Sequence, residues 1–142
     1  MILVDASVWI DYFNGKRSWQ TDLLDHMLSN DPIIMGDLIL TEVLQGFKSD
    51  KAFETAKNYL GELSFRQMGG NNVAIQSAQH YRRLRKAGVT VRKTINIIIA
   101  TFCIMEGLTL LHDDRDFDPI ASHFPLKAFV PRQSRLRLPI IV

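Results

Sequence analysis

The chain has 142 residues, a single cysteine, and 17 basic against 15 acidic side chains, for a formal net charge of +2. That length suits one domain burying roughly two-thirds of its unfolded surface; a lone Cys103 excludes an internal disulfide framework and a cysteine-rich zinc site, and so small a net charge argues neither for nor against nucleic acid. The longest apolar stretch, residues 95–105, is too short for a membrane span, and the opening MILVDASVWI has no basic leader, so the expectation is a cytoplasmic protein with no membrane partner.

Residues 2–4, Ile-Leu-Val, form a short branched run stopped by Asp5, the pattern of a buried parallel strand. Val8, Trp9, Tyr12 and Phe13 follow at helical spacing, with Gly15 as the stop. A second helix is expected over 19–29 and a second strand over 33–35. Asp37 reads as the N-cap of the next helix, whose apolar stripe is Leu40, Val43, Leu44 and Phe47. Next come a helix over 50–62, a weaker strand within 63–68 and an amphipathic helix from Val73 to Lys86, before Gly88. Residues 91–107, VRKTINIIIATFCIMEG, read as one helix, apolar almost all round, with Asn96 near its start. A strand at 109–111 runs into acids, a short helix starts at Arg115, and 127–130 is a last strand. Strands alternating with helices imply right-handed crossovers and a parallel sheet covered on both faces, an α/β fold. Residues 1–130 make one domain, and 131–142, with three arginines and no acid, is open between a basic tail, an extra strand and sequence added for expression.

In open parallel sheets, sites form beyond the carboxyl ends of the strands. Asp5 ends the first strand there, and Asp113, Asp114 and Asp116 follow the strand at 109–111. Glu42 lies about 200° around its helix from Leu40 and shares a flank with Leu38 and Ile39, so it should be half-buried. A carboxylate there needs a partner, because burying an unpaired charge is expensive. Asn96 shares a stripe with Ile99, Ala100 and Cys103 and points toward the helix N-terminus, where the dipole favours an anion. With an aspartate at 96, Asp5, Glu42, residue 96, Asp114 and Asp116 become one acidic set that a divalent cation must neutralise. Oxygen-only ligands select Mg²⁺ or Mn²⁺ over zinc. Each residue also has a plainer role. Asp5 can be a strand-end cap, Asp114 the N-cap of the helix from Arg115, and Asp116 a first-turn acid. Glu42 can pair with a lysine, and Asn96 can be a hydrogen-bonded core amide. The residues alone leave both readings open.

Four segments, VDASVWIDYF, LTEVLQG, RKTINIIIA and LLHDDRDFD, together resemble the PIN-domain ribonucleases, and most closely the VapC toxins of bacterial toxin–antitoxin pairs. They come in the family's order and span nearly the whole chain. The resemblance implies a Rossmann-like three-layer α/β/α sandwich with a mostly parallel central sheet, and Mg²⁺- or Mn²⁺-dependent hydrolysis of RNA phosphodiesters to 5′-phosphate and 3′-hydroxyl products. It carries the family's acids over to Asp5, Glu42, Asp114 and Asp116. Asn96 stands where the family has a third acid; it keeps the size and one oxygen but loses the charge. That departure implies a weakened metal site and a crippled enzyme, through either an engineered inactivation or a natural weakening. Asp5, residue 96 and Asp114 are the expected inner ligands, with Glu42 and Asp116 holding a second ion or orienting waters. Ser7 matches a polar position near metal or substrate, and Thr94 the threonine two residues before the third acid. The family further implies a homodimer and a VapB-type antitoxin whose C-terminal segment lies over the toxin's groove. Trp9, Tyr12, Phe13 and Phe47 are candidates for that contact, with core packing as their other role.

The stretch RRLRKAGVTVRK, 82–93, holds six cations and no acid beside the helix of Asn96. It reads either as a phosphate grip, with Arg92 and Lys93 touching substrate, or as a solvated face. His112 is either structural or a substrate contact. Two rivals remain: a dead module that only holds RNA or antitoxin, and a phosphatase or phospho-receiver on a similar sheet. The phosphatase wants an acid where Ser7 stands, and the receiver wants an aspartate ending the third strand, where none appears by Met68.

Overall fold

The computed structural model describes residues 1–131 and 140–141. In chain order the elements are β1 (Ile2–Val4), α1 (Ala6–Phe13), α2 (Trp19–Leu28), β2 (Ile33–Gly36), α3 (Asp37–Leu44), α4 (Asp50–Leu60), β3 (Ser64–Arg66), α5 (Asn71–Lys86), α6 (Thr94–Glu106), β4 (Thr109–Leu111), α7 (Phe117–His123), β5 (Lys127–Val130) and β6 (Ile140–Ile141). The sheet runs β3-β2-β1-β4-β5-β6. Its first five strands are parallel, and β6 joins β5 antiparallel, Phe129 opposite Ile141. Two residues of the C-terminal stretch are therefore strand; residues 132–139 and Val142 lie outside the described part.

Leu3, Val4, Ile34, Leu110 and Leu111 are wholly buried, as strands covered on both faces require. Helix α1 packs on α2 and α3, and α3 on α4; α5 packs on α6, and α6 on α7. Right-handed crossovers that move first to one side of β1 and then to the other put these two groups on opposite faces, which makes the expected α/β/α sandwich. Between β1 and β4 the direction of winding reverses, and the crevice beyond their carboxyl ends is where such sheets bind ligands.

Four helix starts differ from the sequence expectation: α5 begins at Asn71 rather than Val73, and three others each move for a local reason. Gly36, not Asp37, is the N-cap of α3. Asp37 opens the helix instead, and its carboxylate accepts the Leu38 and Met68 N–H groups, both at 2.9 Å. Helix α6 begins at Thr94 rather than 91, because the Asp116 carboxylate holds the Arg92 and Lys93 N–H groups in an extended lead-in. Helix α7 begins at Phe117 rather than Arg115, because the Asp114 carboxylate takes the Asp116 N–H at 2.9 Å and tightens a turn before it. In α3 the buried stripe is Ile39 and Val43, with Leu40, Leu44 and Phe47 only partly covered, since this helix meets β2, α1 and α4 at once.

Candidate active site

Asp5 leaves β1 in register, its N–H donating to the Leu111 carbonyl at 2.9 Å, so the end of β4 fixes its position. Its side chain is only 4% exposed. One carboxylate oxygen accepts the Ser7 N–H at 3.1 Å and the Ser7 hydroxyl at 2.6 Å, which makes Asp5 the N-cap of α1. The Ser7 hydroxyl in turn accepts the Asp113 N–H at 3.0 Å and ties the first loop to the loop after β4. Burial raises the Asp5 pKa; the Ser7 hydrogen bonds and nearby His112 pull against it, and Asp114 adds to it.

Asn96 is 3% exposed on the first turn of α6. Its amide nitrogen donates to Asp114 at 3.2 Å and to Asp116 at 3.0 Å. The nitrogen, rather than the carbonyl oxygen, therefore faces the acids, as two carboxylates without a cation between them demand. Asp116, nearly buried, also accepts the backbone N–H groups of Arg92 and Lys93 at 3.2 and 3.1 Å and the Arg92 guanidinium at 3.4 Å. Burial works to raise its pKa, but the bonds from Asn96, Arg92 and Lys93 outweigh that and hold it below the ordinary value. Asp116 thus anchors the lead-in to α6 as well as lining the site. Composition could not signal this, because two of its four donors are main-chain groups.

Glu42 is half-buried, as expected, and its Oε1 is buried with no hydrogen-bond partner. Burial raises its pKa, Asp5 and Asp114 raise it further, and Lys93 opposes them. No ion pair joins it to Lys93 among the described residues. His112 packs on Phe117 with ring centroids 4.9 Å apart, and its Nδ1 accepts the Asp114 N–H at 3.3 Å, which leaves the proton on Nε2. Its pKa is lowered by burial despite the surrounding aspartates.

The crevice thus gathers Asp5, Ser7, Glu42, Asn96, His112, Asp114 and Asp116 from β1, α1, α3, α6 and the loop after β4. Thr94 is exposed, and its hydroxyl has no hydrogen bond among the described residues. Arg92 reaches across the mouth, its side chain 73% exposed and 3.9 Å from Asp114. Trp9 is fully buried and cannot meet a partner. Tyr12, Phe13 and Phe47 are half-covered, and Phe13 packs edge-on against Phe47 and Tyr59 at 5.6 and 6.2 Å. Among the described residues, no three His, Cys, Asp or Glu side chains meet at ligating distance. The donor set nonetheless fits a hard divalent cation: three carboxyls, Asp5, Glu42 and Asp114, lie in one another's field, and a buried Glu42 oxygen lacks any partner.

A family model described as PIN domain matches residues 2–122. The chain is 32% identical over 130 residues to a VapC ribonuclease of Mycobacterium bovis, and equally to ribonuclease VapC11 of Mycobacterium tuberculosis, covering 90% of this chain and 97% of each relative. Its fold resembles VapBC2 from Rickettsia felis, solved bound to a promoter DNA fragment, with a TM-score of 0.71 at 16% identity over 90% of this chain and 97% of that one. It also resembles VapC20 of Mycobacterium tuberculosis, described as a sarcin–ricin loop cleaving toxin, with a TM-score of 0.62 at 15% identity over 87% and 96% of the two chains.

Proposed function

The chain belongs to the PIN-domain family, within its VapC group, and from that premise we propose that it is built as a Mg²⁺- or Mn²⁺-dependent endoribonuclease toxin whose metal site is weakened by Asn96. The observation that carries this reading is the partnerless buried oxygen of Glu42, held among like-charged carboxyls at the crevice where the sheet reverses its winding.

Asp5, Glu42 and Asp114 would hold the cation. Bound there, it supplies the positive charge that makes water acidic enough to attack phosphorus and that offsets charge on the phosphate. Ser7 orients one oxygen of Asp5 by two hydrogen bonds and leaves the carboxylate's other oxygen for a ligand. Arg92 and Lys93 sit at the mouth, where a phosphate enters, and Asp116 holds their backbone. His112, kept neutral by burial, steadies Asp114 through the backbone of its turn. Hydrolysis would leave a 5′-phosphate and a 3′-hydroxyl. As a cytoplasmic homodimer, the toxin would be restrained by a VapB-type antitoxin. Its segment would lie in the cleft of about 420 Å³ lined by Phe13, Phe47, Ala52, Ala56 and Tyr59.

A second reading, a module that holds RNA or antitoxin without cutting, is favoured by the Asn96 amide. It satisfies Asp114 and Asp116 without a cation. The two readings separate when this chain and Asn96→Asp are compared on structured RNA with Mg²⁺, with Mn²⁺ and with excess chelator. The expected result is metal-dependent cutting by Asn96→Asp, at least about a hundred-fold faster than by the Asn96 chain. Failure of both proteins on a broad RNA set favours the module. Cutting that survives the chelator refutes the acid-and-metal mechanism.

A further inference from the structure

Helix α5 ends in Arg82, Arg83, Arg85 and Lys86, all exposed, and none is paired with a carboxylate among the described residues. The chain is not basic elsewhere. Outside residues 82–93 it holds 11 basic and 15 acidic side chains, so this concentration is not a by-product of general composition. Two of the arginines are braced on aromatic faces: the Arg83 guanidinium lies 4.9 Å from the Phe124 ring centroid, and that of Arg85 lies 5.8 Å from Tyr81. Such stacking fixes the side chain while leaving its in-plane donors free, the arrangement that suits a phosphate oxygen.

Beside them runs an open groove of about 230 Å³ lined by Gln76, Gln79, His80, Arg82, Arg83 and Lys86. His80 forms a fixed wall, its Nδ1 2.9 Å from the Thr101 hydroxyl and its ring 4.3 Å from Phe124. Every lining side chain carries a polar group, and three of the six are cations. It offers no apolar recess to anchor a peptide side chain, which protein partners require for affinity. It does offer what a chain of phosphates needs, three cations along one helix end with two amides on the turn before them. From Lys86 the backbone passes through residues 87–91 directly to Arg92 and Lys93, whose N–H groups the Asp116 carboxylate holds at the site.

We propose that this α5 groove is a second RNA contact, gripping the phosphate backbone away from the scissile bond and so selecting long or folded RNA over short fragments. The proposal rests on the ribonuclease reading for its ligand, but not on turnover for its test. Binding is measured by fluorescence anisotropy with a folded RNA and with a short single-stranded one, in chelator, as KCl is varied. The chain is compared with Arg82→Gln/Arg83→Gln/Lys86→Gln, and with Arg82→Gln/Lys86→Gln, which leaves the Phe124 stack intact. All the altered residues are exposed, and unchanged melting confirms the fold. The expected result is folded-RNA affinity lower by about ten-fold or more in the triple variant. The slope of log K against log salt should be shallower by about two, roughly 0.7–0.9 per lost phosphate contact. The short RNA should be little affected.

An unaltered slope and affinity in both variants would overturn the proposal and make the patch a solvated face. Equal losses on short and folded RNA would also overturn it, since the cations would then serve the site itself. Tight, salt-insensitive capture of an acidic peptide in place of RNA would assign the groove to a protein partner and refute it. Absence of cleavage by Asn96→Asp, with the folded-RNA effects intact, would sink only the nuclease reading.

Discussion

A single amide decides how the acids of the site stand. The Asn96 nitrogen lies between Asp114 and Asp116 and does, with one neutral group, part of what a cation does for two repelling carboxylates. From the sequence, its place in the first turn of α6 and its burial were legible, because both follow from helical spacing. The direction of the amide was not, since it depends on two aspartates about twenty residues further along. Nor was the double service of Asp116, whose backbone donors carry no residue signature. Asp5 turned out to fill both the plain and the chemical position, N-cap of α1 and wall of the crevice. The charge state of the site gives a direct test. Burial raises the Asp5 and Glu42 pKa values above the ordinary 3.8 and 4.5, so in cation-free protein these two groups favour the folded state at low pH. Their contribution fades as pH rises through the raised values, because the native state there binds more protons than the unfolded one. A bound cation needs both groups ionised, so proton and Mg²⁺ compete. The rise in melting temperature caused by Mg²⁺ should therefore be several degrees at pH 8 and vanish toward pH 4. A Mg²⁺ effect independent of pH would mean that the ion binds elsewhere.

At the scale of elements, the order of strands and helices could be read almost entirely from sequence, because short branched runs and 3.6-residue stripes alternate cleanly along this chain. The helix starts were less legible. Asp37, Asp114 and Asp116 each bond a backbone N–H, but none acts as the side-chain cap of its own helix. Asp37 follows the cap of α3, Asp114 lies two residues before that of α7, and Asp116, the N-cap residue of α7, turns its carboxylate to Arg92 and Lys93 instead. A carboxylate reaching to a neighbouring segment, as Asp37 does to Met68, sets such a boundary through tertiary contact. The same junction makes a prediction. Gly36 closes β2 against the fully buried Met68, whose Sδ and Cγ sit where a Cβ would project. Gly36→Ala should cost about 1–3 kcal/mol through overpacking, measured as a lower urea midpoint. Adding Met68→Ala to it should cost less than Met68→Ala costs alone, because the new methyl fills part of the space that Met68 leaves. An unchanged midpoint for Gly36→Ala would show that Met68 shifts freely.

The molecule as a whole brings together the two faces proposed for function, which differ in chain origin. The acids close only when β1 and β4 lie side by side, Ile2 opposite Thr109, whereas the aromatic cleft comes from residues 13–59 alone. Tyr59, 45% exposed at the rim of that cleft, should matter for a partner more than for stability. Tyr59→Ala is expected to weaken binding of a co-expressed VapB-type protein about ten-fold, with melting temperature and RNA cleavage unchanged, by size-exclusion titration and calorimetry. Equal affinity would move the antitoxin contact elsewhere. The separation also sets a sequence of events on the ribosome. The strand carrying Asp5 is made first, yet the strand that must lie beside it to complete the crevice is among the last to emerge, and so distant a pairing forms late. By then the segment that builds the aromatic cleft has long been synthesised. A nascent or truncated chain therefore lacks the assembled crevice proposed to cut RNA, and the surface proposed for restraint exists before that crevice does.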